Sequence, residues 1–186
     1  MSSKVSIIFI MDKSGSMMNM GVEAIDGINN FYDEQKKTGD FDSTLVFFND
    51  KVTFVYENMP SDKIEKITEK EYQPSGMTAL YDSIGKSIEK QKTIKTDNVI
   101  FVVLTDGLDN SSQEYDKYTI KTLIKKMETD HNWKFIYLGA NQDSYTVGGG
   151  MGFKHTVDYD ATPLGCNTVM RSLSDTVSRC ITENLK

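Results

Sequence analysis

A chain of 186 residues, 38% hydrophobic and 10% aromatic, can bury one substantial core but is short for two domains of usual size, so disorder is excluded and a single domain over 1–186 is expected. A net charge of -6 and a pI near 5.0 exclude nucleic acid as a general partner, because a phosphate backbone needs a basic face. No stretch nears the roughly twenty apolar residues of a membrane span, and the chain enters a core strand without a charged, apolar, cleavable leader, so no membrane partner and a cytoplasmic location are expected.

The run 5–11, Val-Ser-Ile-Ile-Phe-Ile-Met, is apolar almost throughout, the mark of a parallel strand covered on both faces. A helix follows, with Ile25, Ile28 and Tyr32 on one stripe and Phe31 beside them, and the chain turns at Thr38-Gly39-Asp40. Residues 44–48 and 52–56 flank Asn49-Asp50-Lys51, a hairpin signal that puts one antiparallel strand at a sheet edge. The segment 57–76 reads as a connection with one helical turn around Ile64 and Ile67. Next come a helix with Leu80, Ile84 and Ile88 at four-residue spacing and a second apolar strand over 98–104. A helix presenting Ile120, Leu123, Ile124 and Met127 and a strand over 133–138 follow. A short helix and the glycine run 148–150, read as a flexible turn, lead to a brief edge strand over 154–157. The last helix shows Val169, Leu173, Val177 and Ile181.

Strands alternating with helices predict an α/β fold, a Rossmann-like doubly wound and mostly parallel sheet with one antiparallel edge strand and helices on both faces. Ligands of such sheets bind beyond the C-terminal strand ends, where the strand order reverses. Cys166 and Cys180, the only cysteines, fall on the last helix about 21 Å apart. That is too far for a disulfide, and reduced thiols fit a cytosolic compartment.

Three short segments carry the chemistry. Asp12-Lys13-Ser14-Gly15-Ser16 follows the first strand and points a carboxylate and two hydroxyls into one small space, as a hard divalent cation requires. Gly76-Met77-Thr78-Ala79 opens the third predicted helix with a hydroxyl in its first turn. The strand over 98–104 runs into Thr105-Asp106-Gly107. In that order the three resemble the von Willebrand factor type A domain and its metal-ion-dependent adhesion site, whose pattern is Asp-x-Ser-x-Ser, a later Thr, and an Asp after the fourth strand. The segments 78–85 and 135–143 are also similar to stand-alone cytoplasmic A-domain proteins of bacterial or phage type.

The resemblance implies that Asp12, Ser14, Ser16, Thr78 and Asp106 hold Mg²⁺, with Mn²⁺ or Ca²⁺ as alternatives. It also implies that strands one and four are neighbours and that a protein partner completes the ion with a carboxylate. By position, Lys13, Met17, Asn19, Met77, Leu108, Asp109 and Asn110 form the rim that meets this partner. Met17, Met18, Met20 and Met77 suit either a binding rim or a helix-packing core. On this reading the protein is not an enzyme; the alternative is a metal-dependent hydrolase using the same ion to activate water.

Other patterns are weaker. A calcium loop beginning at Asp12 would place Glu23 at its twelfth position but has Met17 where glycine is needed. An aspartyl phosphatase would carry a second Asp at position 14, and Ser14 cannot protonate a leaving group. Ser83-x-x-Lys86 and Lys37-Thr38-Gly39 stand in the reverse order of the penicillin-binding signature. His131 and His155 have no ligand at metal spacing, and the run 148–152 lacks the Lys-Ser/Thr of a phosphate loop.

Overall fold

The first strand, β1 (Val5–Asp12), is buried at every position, and its alternating side chains feed two separate cores. Ile7, Phe9 and Met11 join Ile25, Ile28 and Phe31 of α1 (Gly21–Thr38) and Leu173, Val177 and Ile181 of α5 (Pro163–Asn184). Ile8 and Ile10 join Leu80, Ile84 and Ile88 of α2 (Leu80–Gln91) and Ile120, Ile124 and Met127 of α3 (Lys117–His131). Each fully buried Ile or Phe contributes roughly 1.5–3 kcal/mol of transfer free energy. The two-sided pattern therefore commits the strand to the middle of the sheet.

The computed structural model describes residues 4–96 and 98–184; residues 1–3, 97, 185 and 186 of the expected domain lie outside the described residues. The remaining strands are β2 (Phe41–Phe48), β3 (Val52–Pro60), β4 (Val99–Thr105), β5 (Lys134–Ala140) and β6 (His155–Tyr159). They form one sheet in the order β3-β2-β1-β4-β5-β6. Only β2 and β3 pair antiparallel, and β1 lies in parallel register between β2 and β4. The strand order reverses between β1 and β4, so the crevice that can hold a ligand opens there. Among the described residues no helix is long and apolar enough to cross a membrane, and both cysteines, carried by α5, are free.

Several boundaries differ from expectation. A 3-10 helix (Gly15–Met20) stands between the Asp-x-Ser-x-Ser run and α1. β3 runs on to Pro60, and the helical turn sits at Ser61–Lys63 rather than around Ile64 and Ile67. Those two isoleucines are still buried, because the Asn29 carboxamide on α1 brackets the backbone of Ile67 with two hydrogen bonds of 2.8 Å and Lys36 reaches the carbonyl of Ile64 at 3.0 Å. Gly148 to Gly150 are no free turn but the last turn of α4 (Ser144–Gly150), capped by the Asp143 side chain. A Cβ on Gly148 would come within 2.8 Å of the Tyr137 ring, so at Gly148 the glycine permits a close helix-to-strand approach.

Candidate metal site

Asp12 ends β1 and Asp106 follows β4 directly. Because Met11 lies opposite Leu104 in the parallel pair, both carboxylates leave the sheet at the same edge. Asp12 is fully buried. Its Oδ1 accepts the Ser14 backbone N–H at 2.7 Å, its Oδ2 accepts the Thr105 hydroxyl at 2.6 Å, and its carbonyl accepts the hydroxyl of buried Tyr72 at 2.6 Å. Burial pushes the Asp12 pKa up to about 6 in spite of these bonds, and the charge of Asp106 adds to the rise. Asp106 is half-buried; burial raises its pKa too, opposed by the Ser16 hydroxyl, which donates to Oδ1 at 2.6 Å. Among the described residues neither carboxylate has a cation as an ion-pair partner.

The hydroxyls close the cluster. Ser14 Oγ and Ser16 Oγ are 3.1 Å apart, which links Asp12, Ser14, Ser16 and Asp106 in one chain of contacts. Thr78 is buried, two residues ahead of α2 rather than in its first turn. A Cβ built on Gly107 would meet Thr78 Oγ1 at 3.3 Å and Asp12 Oδ2 at 3.9 Å. These two oxygens therefore border one small space that any residue larger than glycine would begin to fill.

Backbone contacts tie the three loops together. Gly15 N–H donates to the Gly76 carbonyl at 3.0 Å and Ser75 N–H to the Lys13 carbonyl at 2.8 Å. Thr78 N–H donates to Asn110 Oδ1 at 2.8 Å, and Asn110 N–H returns a bond to the Thr78 carbonyl at 2.9 Å. Gly76 has φ +77, a left-handed conformation that suits glycine, with the Asp50 carboxylate against its α-carbon. α2 has no side-chain cap of its own. Asp109 Oδ1 accepts Tyr81 N–H at 3.2 Å and Ser112 Oγ accepts Asp82 N–H at 2.9 Å, so the loop after Asp106 supplies the cap. In return the Asp82 carboxylate accepts the N–H groups of Gln113, Glu114 and Tyr115 at 3.0, 2.9 and 2.9 Å. Burial pushes the Asp82 pKa up, but those three donors outweigh it and hold the carboxyl below its usual range.

The donor set can be tested against a hard ion. Octahedral Mg²⁺ with oxygens at 2.0–2.1 Å puts neighbouring ligand oxygens about 2.9 Å apart. The Ser14 to Ser16 and Ser16 to Asp106 separations, 3.1 and 2.6 Å, bracket that edge length. No group of three or more His, Cys, Asp or Glu side chains forms a metal cluster among the described residues; the candidate ligands are two carboxylates and three hydroxyls, all hard oxygens. The residues present fit a Mg²⁺-like ion.

The expected rim divides. Asn19, Met77 and Leu108 are exposed and Lys13 is half-buried. Met17 is a correction: the 3-10 turn points it into the core beside Met20, fully buried, and exposes Met18 instead. Asp109 and Asn110 spend their side chains inside the loop, on Tyr81 and Thr78. Thr105, Tyr72, Asn49 and Asp82 support the site without having been expected. Only Thr105, a hydroxyl beside Asp106 at a strand end, left a signal in the sequence. Asn49 holds the Ser75 carbonyl at 2.8 Å through its side chain and accepts Ala79 N–H at 2.7 Å through its backbone.

No protein-family model and no curated protein matches this chain. Solved structures do. The PilB minor pilin from Streptococcus sanguinis superposes with a TM-score of 0.72 at 12% identity, over 96% of this chain and 62% of that one. A von Willebrand factor type A protein from Catenulispora acidiphila gives 0.69 at 15% identity, over 96% and 43%. BatB from Bacteroides thetaiotaomicron gives 0.64 at 16% identity, over 95% and 98%. The chain thus spans less than two thirds of the length of the first two. At such identities the likeness carries the fold alone, and that fold is von Willebrand factor type A-like.

Proposed function

We propose that the protein is a divalent-metal-dependent protein-binding module, in which Asp12, Ser14, Ser16, Thr78 and Asp106 hold Mg²⁺ and a carboxylate of a protein partner completes its coordination. One observation carries this reading. Asp12, fully buried and raised to about 6, and Asp106, which accepts from Ser16 at 2.6 Å, are joined through Ser14 and Ser16, whose hydroxyls stand 3.1 Å apart, and among the described residues neither carboxylate has an ion-paired cation. Burying like charges together is costly unless a cation offsets them. The bound ion would supply a Lewis-acidic position for an anionic oxygen. Asp12 is held by Ser14 and Thr105 as a fixed floor, whereas Ser16 and Asp106 stand at the open side.

Among the described residues neither histidine is placed to serve the hydrolase alternative. His131 ends α3 and His155 opens β6 opposite Ile136, so both lie at the N-terminal edge of the parallel strands, away from the Asp12 edge. A phosphatase and phosphodiesterase screen should therefore give no turnover. The direct test is thermal melting of EDTA-treated protein against Mg²⁺ and Mn²⁺. With a dissociation constant near 0.1 mM, about 10 mM ion adds roughly 2.7 kcal/mol by mass action, a rise of about 5–10 °C in Tm for a chain of this size. An unmoved melting curve with both ions overturns the metal site.

A further inference from the structure

Eight large apolar side chains stand exposed among the described residues, and four of them, Met18 (67%), Val22 (57%), Met77 (55%) and Leu108 (58%), belong to the segments around the metal site. Three lie within two residues of a candidate ligand on three different loops: Met18 near Ser16, Met77 beside Thr78, Leu108 near Asp106. The backbone brings these loops side by side. Gly15 bonds to Gly76, and a Cβ on Gly21 would touch the Pro74 ring at 3.7 Å, so 15–21 runs along 74–77. Gly107 abuts Thr78, whose carbonyl also accepts Asn110 N–H. Single exposed apolar residues need no explanation, but a set gathered around one polar opening marks an interaction surface.

Charge restricts what can sit at its centre. Asp12 and Asp106 balance a divalent ion and Lys13 is offset by Asp50, so the attraction for an anion is confined to the ion's own open position, which suits one acidic oxygen. A second acid on the ligand would meet Asp50, whose carboxylate lies over Gly76. We propose, resting on the metal-dependent reading above, that the partner presents a single Asp or Glu between large apolar side chains on an extended segment or loop. Those flanking side chains seat on Met18, Met77 and Leu108. Thioethers suit such a seat because they adapt to differently shaped side chains.

A phage-displayed random 12-residue library, bound in Mg²⁺ and eluted with EDTA, tests this. The expected eluate is enriched in Asp or Glu with Leu, Ile, Phe, Met or Trp at adjacent positions. Against a peptide synthesised from it, Met77→Ser and Leu108→Ser should each weaken binding about tenfold, and the pair about a hundredfold, while the Mg²⁺-induced rise in Tm stays at the wild-type value. An eluate with acids but polar or glycine neighbours overturns the apolar seat and leaves the metal site standing. No EDTA-dependent clones, with the Tm rise intact, likewise overturns the proposal; loss of the Tm rise as well places the failure in the metal site. Mg²⁺-dependent cosedimentation with phosphatidylserine vesicles, without peptide enrichment, would assign the ring to a lipid surface and overturn the proposal too.

Discussion

Replacing Asp12 by Asn separates the cost of its buried charge from its use. The gap between a folded pKa of about 6 and the ordinary 3.8 corresponds to about 3 kcal/mol. Well below pH 3.8 Asp12 is protonated in folded and unfolded chains alike and contributes nothing. Between pH 4 and 6 the unfolded chain releases its proton first, so the metal-free protein loses stability as pH rises, and above 6 the full penalty applies. The substituted carboxamide keeps an acceptor for Ser14 N–H, and the Thr105 hydroxyl can turn to accept from its amide. In EDTA at pH 7, Asp12→Asn should therefore be more stable than wild type by up to about 3 kcal/mol, about 6–12 °C in Tm, with the two converging near pH 4. Protons and metal compete for the same carboxylate, so the Mg²⁺ affinity of wild type should fall about tenfold from pH 7 to pH 5. Denaturant melts from pH 4 to 7.5 and calorimetric titration of Mg²⁺ read both effects. Parallel pH profiles for the two proteins, or an affinity unchanged at pH 5, would show that Asp12 carries no such penalty.

Asp106→Ala removes one of two like charges, so in EDTA it should melt at or above wild type near neutral pH, yet lose the Mg²⁺-induced rise; a full rise in a Mg²⁺ titration would remove Asp106 from the site. Thr105→Val deletes the donor to Asp12 Oδ2 at constant shape and should cost about 1–3 kcal/mol in EDTA at pH 7. Its penalty should shrink as pH falls toward 4, which a Val that merely packs badly does not predict. Gly76→Ala drives a Cβ into Asp50 Oδ1 at φ +77. It should cost more than about 1 kcal/mol and weaken Mg²⁺ binding through Thr78; melting and titration at wild-type values would show the 74–78 loop does not position Thr78.

The two-faced strands and the site's carboxylates were legible in the sequence because each depends on local pattern: apolar runs mark β1 and β4, and Asp12 and Asp106 come at their ends. What escaped depends on side chains acting across the chain. The cap of α2 comes from Asp109 and Ser112, about thirty residues on, so the reading of Asp109 as a rim residue missed its role as a structural acceptor. Ile64 and Ile67 have helical spacing, but Asn29 and Lys36 hold their backbone in place from α1. Met17, expected on the rim, is buried and Met18, left open between rim and core, is exposed, because a 3-10 turn has three residues per turn, which shifts the buried face relative to an α-helix.

The hydrogen bonds of the metal-free site need little dismantling for it to bind an ion. A hydroxyl that donates its one proton keeps two lone pairs. Ser16, donating to Asp106 Oδ1, therefore still presents an acceptor oxygen, and Thr105 draws on only one of the lone pairs of Asp12 Oδ2. Ser16 gives its proton to Asp106, so in the Ser14 to Ser16 contact Ser14 is the donor and takes one of the two lone pairs of Ser16, and turning the Ser14 proton away frees that one as well. That rearrangement is a rotation of a proton, not a movement of backbone, and the loops carrying these groups are already fixed by Gly15 to Gly76, Thr78 to Asn110 and Asp82 to the 113–115 amides. On the proposed reading, the scaffold holds in place two carboxylates that have no cation partner among the described residues, at a cost to the metal-free fold, and the same arrangement would let an ion enter without a loop having to order around it.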